Sequence, residues 1–436
     1  RQCRFGLPSQ NGTSGMPAIP PILACLGICL FFQAQAFSAE EPPAEASAEP
    51  ASDAEANPQP PAFEPIALSP DSALRFATVD EGRDLLSRRD DYIRSLGPLE
   101  MQIRLRSAEP VDIEAFIKHL QQQVLPWEDE ELARTSAVAK SLAEKLGEYE
   151  IPLPETVYLI RTTGEDESGA AYTRGAAIVL PRRSKPLKPE VLERLLAHEL
   201  FHVISRHDPE LRQRLYAIIG FQPCNSIELP EAIAPRRITN PDAPTIDYYV
   251  TIERPRERVD APTESEAVEE TVENRETDPD KSQPDETDAL ETQSPEAQSP
   301  EISSEESGDS ELGREENERG EMVNVVPILL CDRSEYDPKR QRLFDYLQFR
   351  LMVIHRAAGT WRPLLADGQP QLIDGRTSKS YRQRIGENTN YIIHPDEILA
   401  DNFVHMVMRT QDLKSPEIVK QMRAILQSQT GPQEDE

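Results

Sequence analysis

Two histidines stand four residues apart in the segment His198-Glu199-Leu200-Phe201-His202, and a glutamate directly follows the first. Residues i and i+4 lie one turn apart on the same face of a helix, so both imidazoles can reach a single tetrahedral Zn²⁺. Glu199 is then placed to accept a proton from a water molecule at that metal. Apolar residues recur at helical spacing around the segment, namely Leu192, Leu195, Leu196, Leu200 and Val203. This pattern predicts a helix packed into the core.

A second acidic element lies far downstream, where Glu397 and Asp401 follow His394 and Pro395. Pro395 suits the first turn of a helix, and Glu397 and Asp401 then lie one turn apart on one face. The rest of this helix is largely apolar, with Ile398, Leu399, Phe403 and Val404. Both carboxylates are therefore expected to be buried, and a metal site would supply the partner that buried carboxylates need.

Together the two elements resemble the HExxH and ExxxD motifs of gluzincins, zinc metallopeptidases whose third zinc ligand is a glutamate on a later helix. The resemblance implies that His198, His202 and Glu397 bind Zn²⁺ and that Glu199 is the general base. It gives Asp401 the role of an acceptor that fixes the ring of a ligand histidine.

Zincins usually need one more group, a tyrosine or histidine that stabilises the oxyanion. Tyr391 and His394, just before the ligand helix, are the candidates here, followed by Tyr381. A metzincin would have glycine and histidine where Ser205 and Asp208 stand, so that subclass is disfavoured. Aminopeptidase gluzincins carry a GxMEN motif that this sequence lacks, which favours an endopeptidase or a peptidase of narrow substrate range.

The predicted fold class is α+β: a zincin-like two-lobed metallopeptidase domain with a long disordered acidic insertion. Its upper lobe combines a sheet with the active-site helix, and its C-terminal lobe is mainly helical. A helix is predicted over 130–146 and strands over 155–160 and 175–180. In zincins the strand before the HExxH helix is a sheet edge that pairs with extended substrate, and the resemblance assigns this role to 175–180. Residues 344–354 form either a strand or a buried helix, which periodicity does not decide.

The N-terminal region predicts export. Residues 1–39 contain an apolar core over 22–32 and then Ala34-Gln35-Ala36, typical of a cleaved secretory signal peptide. An uncleaved anchor and a lipoprotein are the alternatives; after cleavage, membrane association is not expected. The Pro-, Ala- and Glu-rich stretch 40–65 is predicted to be a disordered tether.

A second segment of biased composition, 255–321, is predicted to be a disordered insertion between 66–254 and 322–436, the two parts of the catalytic domain. Residues 256–321 carry 24 acidic and 6 basic side chains, or −18 of the net charge of −30. The insertion is a candidate site for a basic partner or Ca²⁺, or it only solvates the loop. The acidity of the chain disfavours nucleic acid as a partner.

The borders of the insertion, 245–252 and 322–330, both read as strands and predict a hairpin with an enlarged tip. Cys224 and Cys331 flank these strands, and they either form a disulfide or remain buried thiols. The sequence as a whole predicts an exported zinc peptidase that acts on a peptide or protein substrate. The alternatives are an inactive zincin-like interaction protein and a metal-dependent hydrolase of a non-peptide amide or ester.

Overall fold

The computed structural model describes residues 64–254, 320–339 and 343–427. The predicted signal peptide, nearly all of the tether and most of the acidic insertion lie outside these residues. Contacts divide the chain into two compact units, with boundaries at Ile252/Glu253 and Met322/Val323. Both predicted motifs belong to the unit that combines the residues before the first boundary with those after the second.

The described residues form a mixed α and β structure, as predicted for the class. Their α-helices are α1 (Val79–Leu86), α2 (Asp91–Ser95), α3 (Pro98–Arg104), α4 (Ile113–Gln123), α5 (Asp129–Leu146), α6 (Pro189–His207), α7 (Pro209–Ile218), α8 (Lys379–Ile385), α9 (Pro395–Val407) and α10 (Pro416–Gln427). Short 3₁₀ helices span Ala234–Arg236, Arg333–Glu335 and Leu343–Tyr346.

Two larger sheets and one small ribbon contain the strands of the described residues. The first sheet consists of β1 (Ile66–Ser69), β2 (Ser72–Phe76), β3 (Val124–Leu125), β4 (Thr156–Thr162), β5 (Tyr172–Arg174) and β6 (Ala177–Pro181). The second consists of β7 (Phe221–Pro223), β8 (Arg237–Ile238), β9 (Tyr248–Glu253), β10 (Met322–Leu330), β11 (Gln348–Ala357), β12 (Thr360–Pro363) and β15 (Leu372–Asp374). The ribbon pairs β13 (Leu365–Ala366) with β14 (Gln369–Pro370).

The first sheet has the order β1-β2-β4-β6-β5, with β3 attached to one end of β4. β2, β4 and β6 run parallel, and β5 runs antiparallel to β6. The assignment of the sheet edge to 175–180 is therefore wrong. β6 is hydrogen-bonded on both sides, and the edge is β5, a strand of three residues that comes just before it.

Helices cover both faces of this sheet because successive side chains of a strand point to opposite sides. Leu159 of β4 and Ile178 of β6 pack in the main core with α5, α6 and α9. Their neighbours Ile160 and Val179 pack in a second cluster with α1 and α4. Buried strands of this kind lack the alternation of a half-exposed strand, and all five residues of β6 are buried.

Helix α6, which carries His198, Glu199 and His202, begins at Pro189 and ends where Asp208 caps the next helix. Asp208 accepts hydrogen bonds from the backbone N–H groups of Glu210 and Leu211. These bonds cap the N-terminus of α7, so a new helix begins there instead of a continuation of α6. Thirteen residues of α6 are buried, because the helix lies in the core and contacts α5, α7 and α9.

The C-terminal part is not mainly helical, which corrects the sequence prediction. Residues 348–357 form the strand β11 and pair with β10 over seven residues, so the segment left open between strand and helix is largely a strand. β9 and β10 are neighbours in the second sheet, as the hairpin prediction requires. Cys224 and Cys331 are not bonded to each other, so the disulfide alternative is wrong. Within the described residues, no helix has the length and apolarity needed to cross a membrane.

Candidate metal centre

His198, His202 and Glu397 converge in the core between α6 and α9. Nε2 of His198 lies 3.2 Å, and Nε2 of His202 3.5 Å, from Oε2 of Glu397. Two atoms held about 2.0–2.1 Å from one tetrahedral Zn²⁺ are roughly 3.3 Å apart, so these separations suit a shared ion. All three residues are at most 7 % exposed. The three residues predicted from the sequence therefore lie together in space, although His198 and Glu397 are 199 positions apart along the chain.

The second ring nitrogen of each histidine is held by an aspartate of α9. Nδ1 of His198 lies 3.0 Å from Oδ1 of Asp401, the residue singled out from the ExxxD motif. Nδ1 of His202 lies 2.6 Å from Oδ2 of Asp396. The later histidine pairs with the earlier aspartate, so the two helices run antiparallel at the site. Contacts of this kind fix the orientation and tautomer of a ligand histidine.

Asp396 was not identified from the sequence, although it stands directly before Glu397. Its Oδ1 accepts hydrogen bonds from Oγ of Ser205, at 2.5 Å, and from the hydroxyl of Tyr216, at 2.7 Å. Asp396 therefore receives three donors from α6 and α7 and is only 2 % exposed. One argument from the sequence could have identified it. Each ligand histidine needs its own hydrogen-bond acceptor, and Asp401 can serve only one of the two histidines.

The donor set fits a cation. Assigning the proton of each neutral ring to Nδ1, against its aspartate, leaves both Nε2 lone pairs facing the carboxylate of Glu397. Nε2 of His202 is buried without a hydrogen-bond partner. Burial alone lowers the pKa of His198, but hydrogen bonds with Asp401 and Glu397 raise it to about 10. Three lone-pair atoms in such proximity repel one another, and a proton or a metal ion relieves the repulsion.

Glu199 lies next to this set, on the same helix. It is 1 % exposed, and its Oε2 is buried without a hydrogen-bond partner. Burial, together with the nearby carboxylate of Asp242, raises the pKa of Glu199 to about 8. Carboxylate oxygens of Glu199 and Asp242 lie within 4.8 Å of each other and of a ring nitrogen of His202. A glutamate in this position can hold a proton near neutral pH.

The three candidates for oxyanion stabilisation occupy different places. Tyr391 lines the cavity beside His198 and Glu199, and its ring stacks on that of His198 with centroids 6.1 Å apart. His394 caps α9, because its Nδ1 accepts a hydrogen bond from the backbone N–H of Asp396. Tyr381 is fully buried and donates its hydroxyl hydrogen bond to the carbonyl of Ile392. Of the three, only Tyr391 lines that cavity.

Asn240 completes the surroundings of Glu397 and was also missed. Its Nδ2 donates to Oε1 of Glu397 at 2.6 Å, on the carboxylate oxygen that does not face the histidines. Asn240 lies in a loop between β8 and β9 that has no periodic pattern, so this contact could not be predicted from the sequence.

Comparison with protein-family models, curated proteins and solved structures gives no significant match for this chain. A functional interpretation therefore depends on the geometry of the site and on the two motifs that form it.

Proposed function

We propose that this chain is an exported zinc metallopeptidase that hydrolyses peptide bonds with Glu199 as the general base. The observation that carries the proposal is the convergence of His198, His202 and Glu397, with each histidine held from behind by its own aspartate. A structural core histidine needs one hydrogen-bond partner. Two histidines with paired outer nitrogens and inward lone pairs form the ligand arrangement of a catalytic zinc site.

His198, His202 and Glu397 would hold the ion. When bound, Zn²⁺ supplies Lewis acidity and lowers the pKa of a water molecule towards neutrality. Asp396 and Asp401 keep the Nδ1 protons in place, so both Nε2 atoms stay available. Glu199 accepts the proton of the attacking water at its carboxylate and passes it to the leaving amine.

Tyr391 is the preferred residue for stabilising the oxyanion in this mechanism. Its ring stacks on that of His198, and the residue lines the cavity that also contains Glu199 and Glu397. A hydrogen-bond donor placed where negative charge develops stabilises the transition state more than the ground state.

A second candidate function is a zincin-like interaction protein that binds metal without cleaving peptides. The cavity at the site has a volume of only about 40 Å³, which holds a water molecule but no peptide. Against this candidate stands Glu199, a buried carboxylate beside the ligands that a purely binding site does not need.

The test is cleavage of fluorescently labelled casein by the zinc-loaded protein, compared with Glu199→Gln. The wild type should release peptides, lose activity with 1,10-phenanthroline and regain it with added Zn²⁺. Glu199→Gln should bind the same amount of zinc and lose about 100-fold or more of the activity. If the wild type and Glu199→Gln bind the same amount of zinc and the wild type does not cleave casein, the result would favour the interaction protein. Cleavage of a simple ester or acyl amide alone would indicate a non-peptide hydrolase.

A further inference from the structure

A short stretch between β8 and β9 covers the open side of the candidate metal centre. It consists of Thr239, Asn240, Pro241 and Asp242, and we call it the 239–242 segment. All four residues line the cavity that also contains His198, Glu199 and Glu397. The segment therefore lies where a substrate would have to approach Glu199 and the ligand atoms.

The first contact of the segment is with the third metal ligand. Nδ2 of Asn240 donates to Oε1 of Glu397 at 2.6 Å. The orientation of this amide is fixed by a second hydrogen bond, because Oδ1 of Asn240 accepts from the backbone N–H of Asp242 at 3.0 Å. Asn240 is thus held by its own segment while it caps the ligand carboxylate.

The second contact is with the edge strand. Oδ1 of Asp242 accepts from the backbone N–H of Thr173 at 2.6 Å and from its hydroxyl at 2.7 Å. Thr173 is the middle residue of β5, whose other side pairs with β6. An extended peptide that adds to this edge needs the same outward backbone donor. The carboxylate of Asp242 therefore stands in for the carbonyl of an added strand.

Charged side chains hold the two ends of the segment. At one end, the backbone N–H and hydroxyl of Thr239 donate to the carboxylate of Glu100, and its carbonyl accepts from the guanidinium of Arg104. Glu100 and Arg104 are themselves paired and at most 4 % exposed. At the other end, the carbonyl of Asp242 accepts from Nη2 of Arg206, at the end of α6.

We propose that the 239–242 segment is a built-in occupant of the peptide cleft, so that a peptide binds only when the segment moves aside. This inference rests on the proposed peptidase function and adds its regulation. Asn240 and Asp242 satisfy the ligand glutamate and the edge strand in the closed state. Thr239, anchored by the Glu100–Arg104 pair, is the end about which the rest of the segment opens.

Two hydroxamate probes separate occupation of the cleft from metal binding. Acetohydroxamate needs only the metal and its immediate surroundings, whereas Pro-Leu-Gly hydroxamate must also place a peptide along β5. Both are titrated by calorimetry into the zinc-loaded full-length protein. The informative quantity is the ratio of the two dissociation constants, because an altered metal affinity affects both probes alike.

Asp242→Ala removes the acceptor from Thr173 and should tighten binding of the peptide hydroxamate about tenfold relative to acetohydroxamate, equivalent to about 1.4 kcal/mol. Asp242→Asn is the matched control, because an amide oxygen still accepts from the same donors; its ratio should stay within about twofold of the wild type. Asn240→Ala releases the other contact and should move the ratio in the same direction as Asp242→Ala. It also provides a second variant if Asp242→Ala does not fold.

An unchanged ratio in both alanine variants, each zinc-loaded, would overturn the proposal. Weaker binding of the peptide hydroxamate relative to acetohydroxamate in those variants would also overturn the proposal. The segment would then be part of the binding site and would contact the bound peptide. Failure of the wild type to bind zinc or acetohydroxamate is a different outcome, which refutes the proposed metallopeptidase itself.

Discussion

Oδ2 of Asp396 lies 2.6 Å from Nδ1 of His202, so the residue just before the third candidate ligand orients the second one. Five residues further along α9, Asp401 does the same for His198. Because Glu397 lies between these two aspartates in sequence, a single helix supplies one ligand and both outer contacts. The position of α9 against α6 therefore determines the geometry of the whole candidate ligand set.

Replacing Asp396 with alanine should weaken zinc binding and destabilise the fold together. Loss of the contact to His202 is expected to lower zinc affinity about 10- to 100-fold. Ser205 and Tyr216 would lose their buried acceptor, at a cost of about 1–3 kcal/mol for each donor left unsatisfied. Competition with a chromophoric chelator measures the first effect, and urea unfolding of the metal-free protein measures the second.

Tyr216→Phe is the control for this variant, because it removes one donor to Asp396 and leaves the contact with His202. It should keep zinc affinity within a few-fold of the wild type. If Asp396→Ala binds zinc as tightly as Tyr216→Phe does, Asp396 does not orient the ligand.

Glu397→Ala tests the third ligand directly. The wild type should contain about one zinc per chain by elemental analysis, and the variant should bind zinc more than about 100-fold more weakly, since even outer contacts contribute 10- to 100-fold. Glu387→Ala is the comparison, because Glu387 is exposed and pairs with Lys414 at the surface. Unchanged zinc in Glu397→Ala would mean that the histidines use another ligand set.

The candidate ligand residues could be grouped from the sequence because helical spacing alone determines their geometry. His198 with His202, and Glu397 with Asp401, lie one turn apart on any regular helix, whatever the rest of the fold does. Asp396 escaped notice because an acidic residue in the first turn of a helix already has a local explanation, the favourable interaction with the helix dipole. Its contact with His202 depends on how the two helices pack, which a single sequence does not specify.

The edge strand was misassigned for a different reason. β5 has only three residues and is buried, so it has neither the length nor the alternation that indicates a strand in sequence. The prediction therefore assigned the sheet edge to 175–180, the longer apolar run that contains most of β6. Asn240 and Asp242 lie in an irregular loop whose path is determined by tertiary hydrogen bonds to Glu100, Arg104 and Thr173.

Tyr391→Phe should reduce kcat by about 100-fold or more if its hydroxyl stabilises the oxyanion, with zinc affinity and stability nearly unchanged. His394→Ala is the contrasting variant. It removes the cap of α9 and should cost about 1 kcal/mol of stability. Steady-state kinetics on a quenched fluorescent peptide and thermal unfolding separate the two. Wild-type kcat in Tyr391→Phe would assign the tyrosine a packing role against His198.

Stability should fall with rising pH because of Glu167, which is buried beside Arg104. Burial raises the pKa of Glu167 from its ordinary 4.5 to about 7. Between these values the folded chain holds a proton that the unfolded chain has released, so the free energy of unfolding decreases as pH rises through this window. From pH 5 to 7.5, the wild type should lose more than about 1 kcal/mol relative to Glu167→Gln.

The control for this pH effect is Glu165→Gln, whose side chain is exposed and pairs with Arg106. Urea unfolding curves at the two pH values should give the same difference for this variant as for the wild type. An identical pH dependence in Glu167→Gln would show that the buried carboxyl group is ionised throughout the range, held so by Arg104.

His198 and His202 precede residues 253–322 in the sequence, and Glu397 follows them. The strands that border this stretch, β9 and β10, are neighbours in one sheet. One core cluster likewise takes side chains from both sides, among them Leu200 and Phe403. A single protease cut between 256 and 319 would therefore separate His198 from Glu397 along the chain and leave them together in space. The nicked protein is expected to elute as one particle and retain its zinc. The two polypeptides would then behave as subunits of a heterodimer, separable only by denaturant.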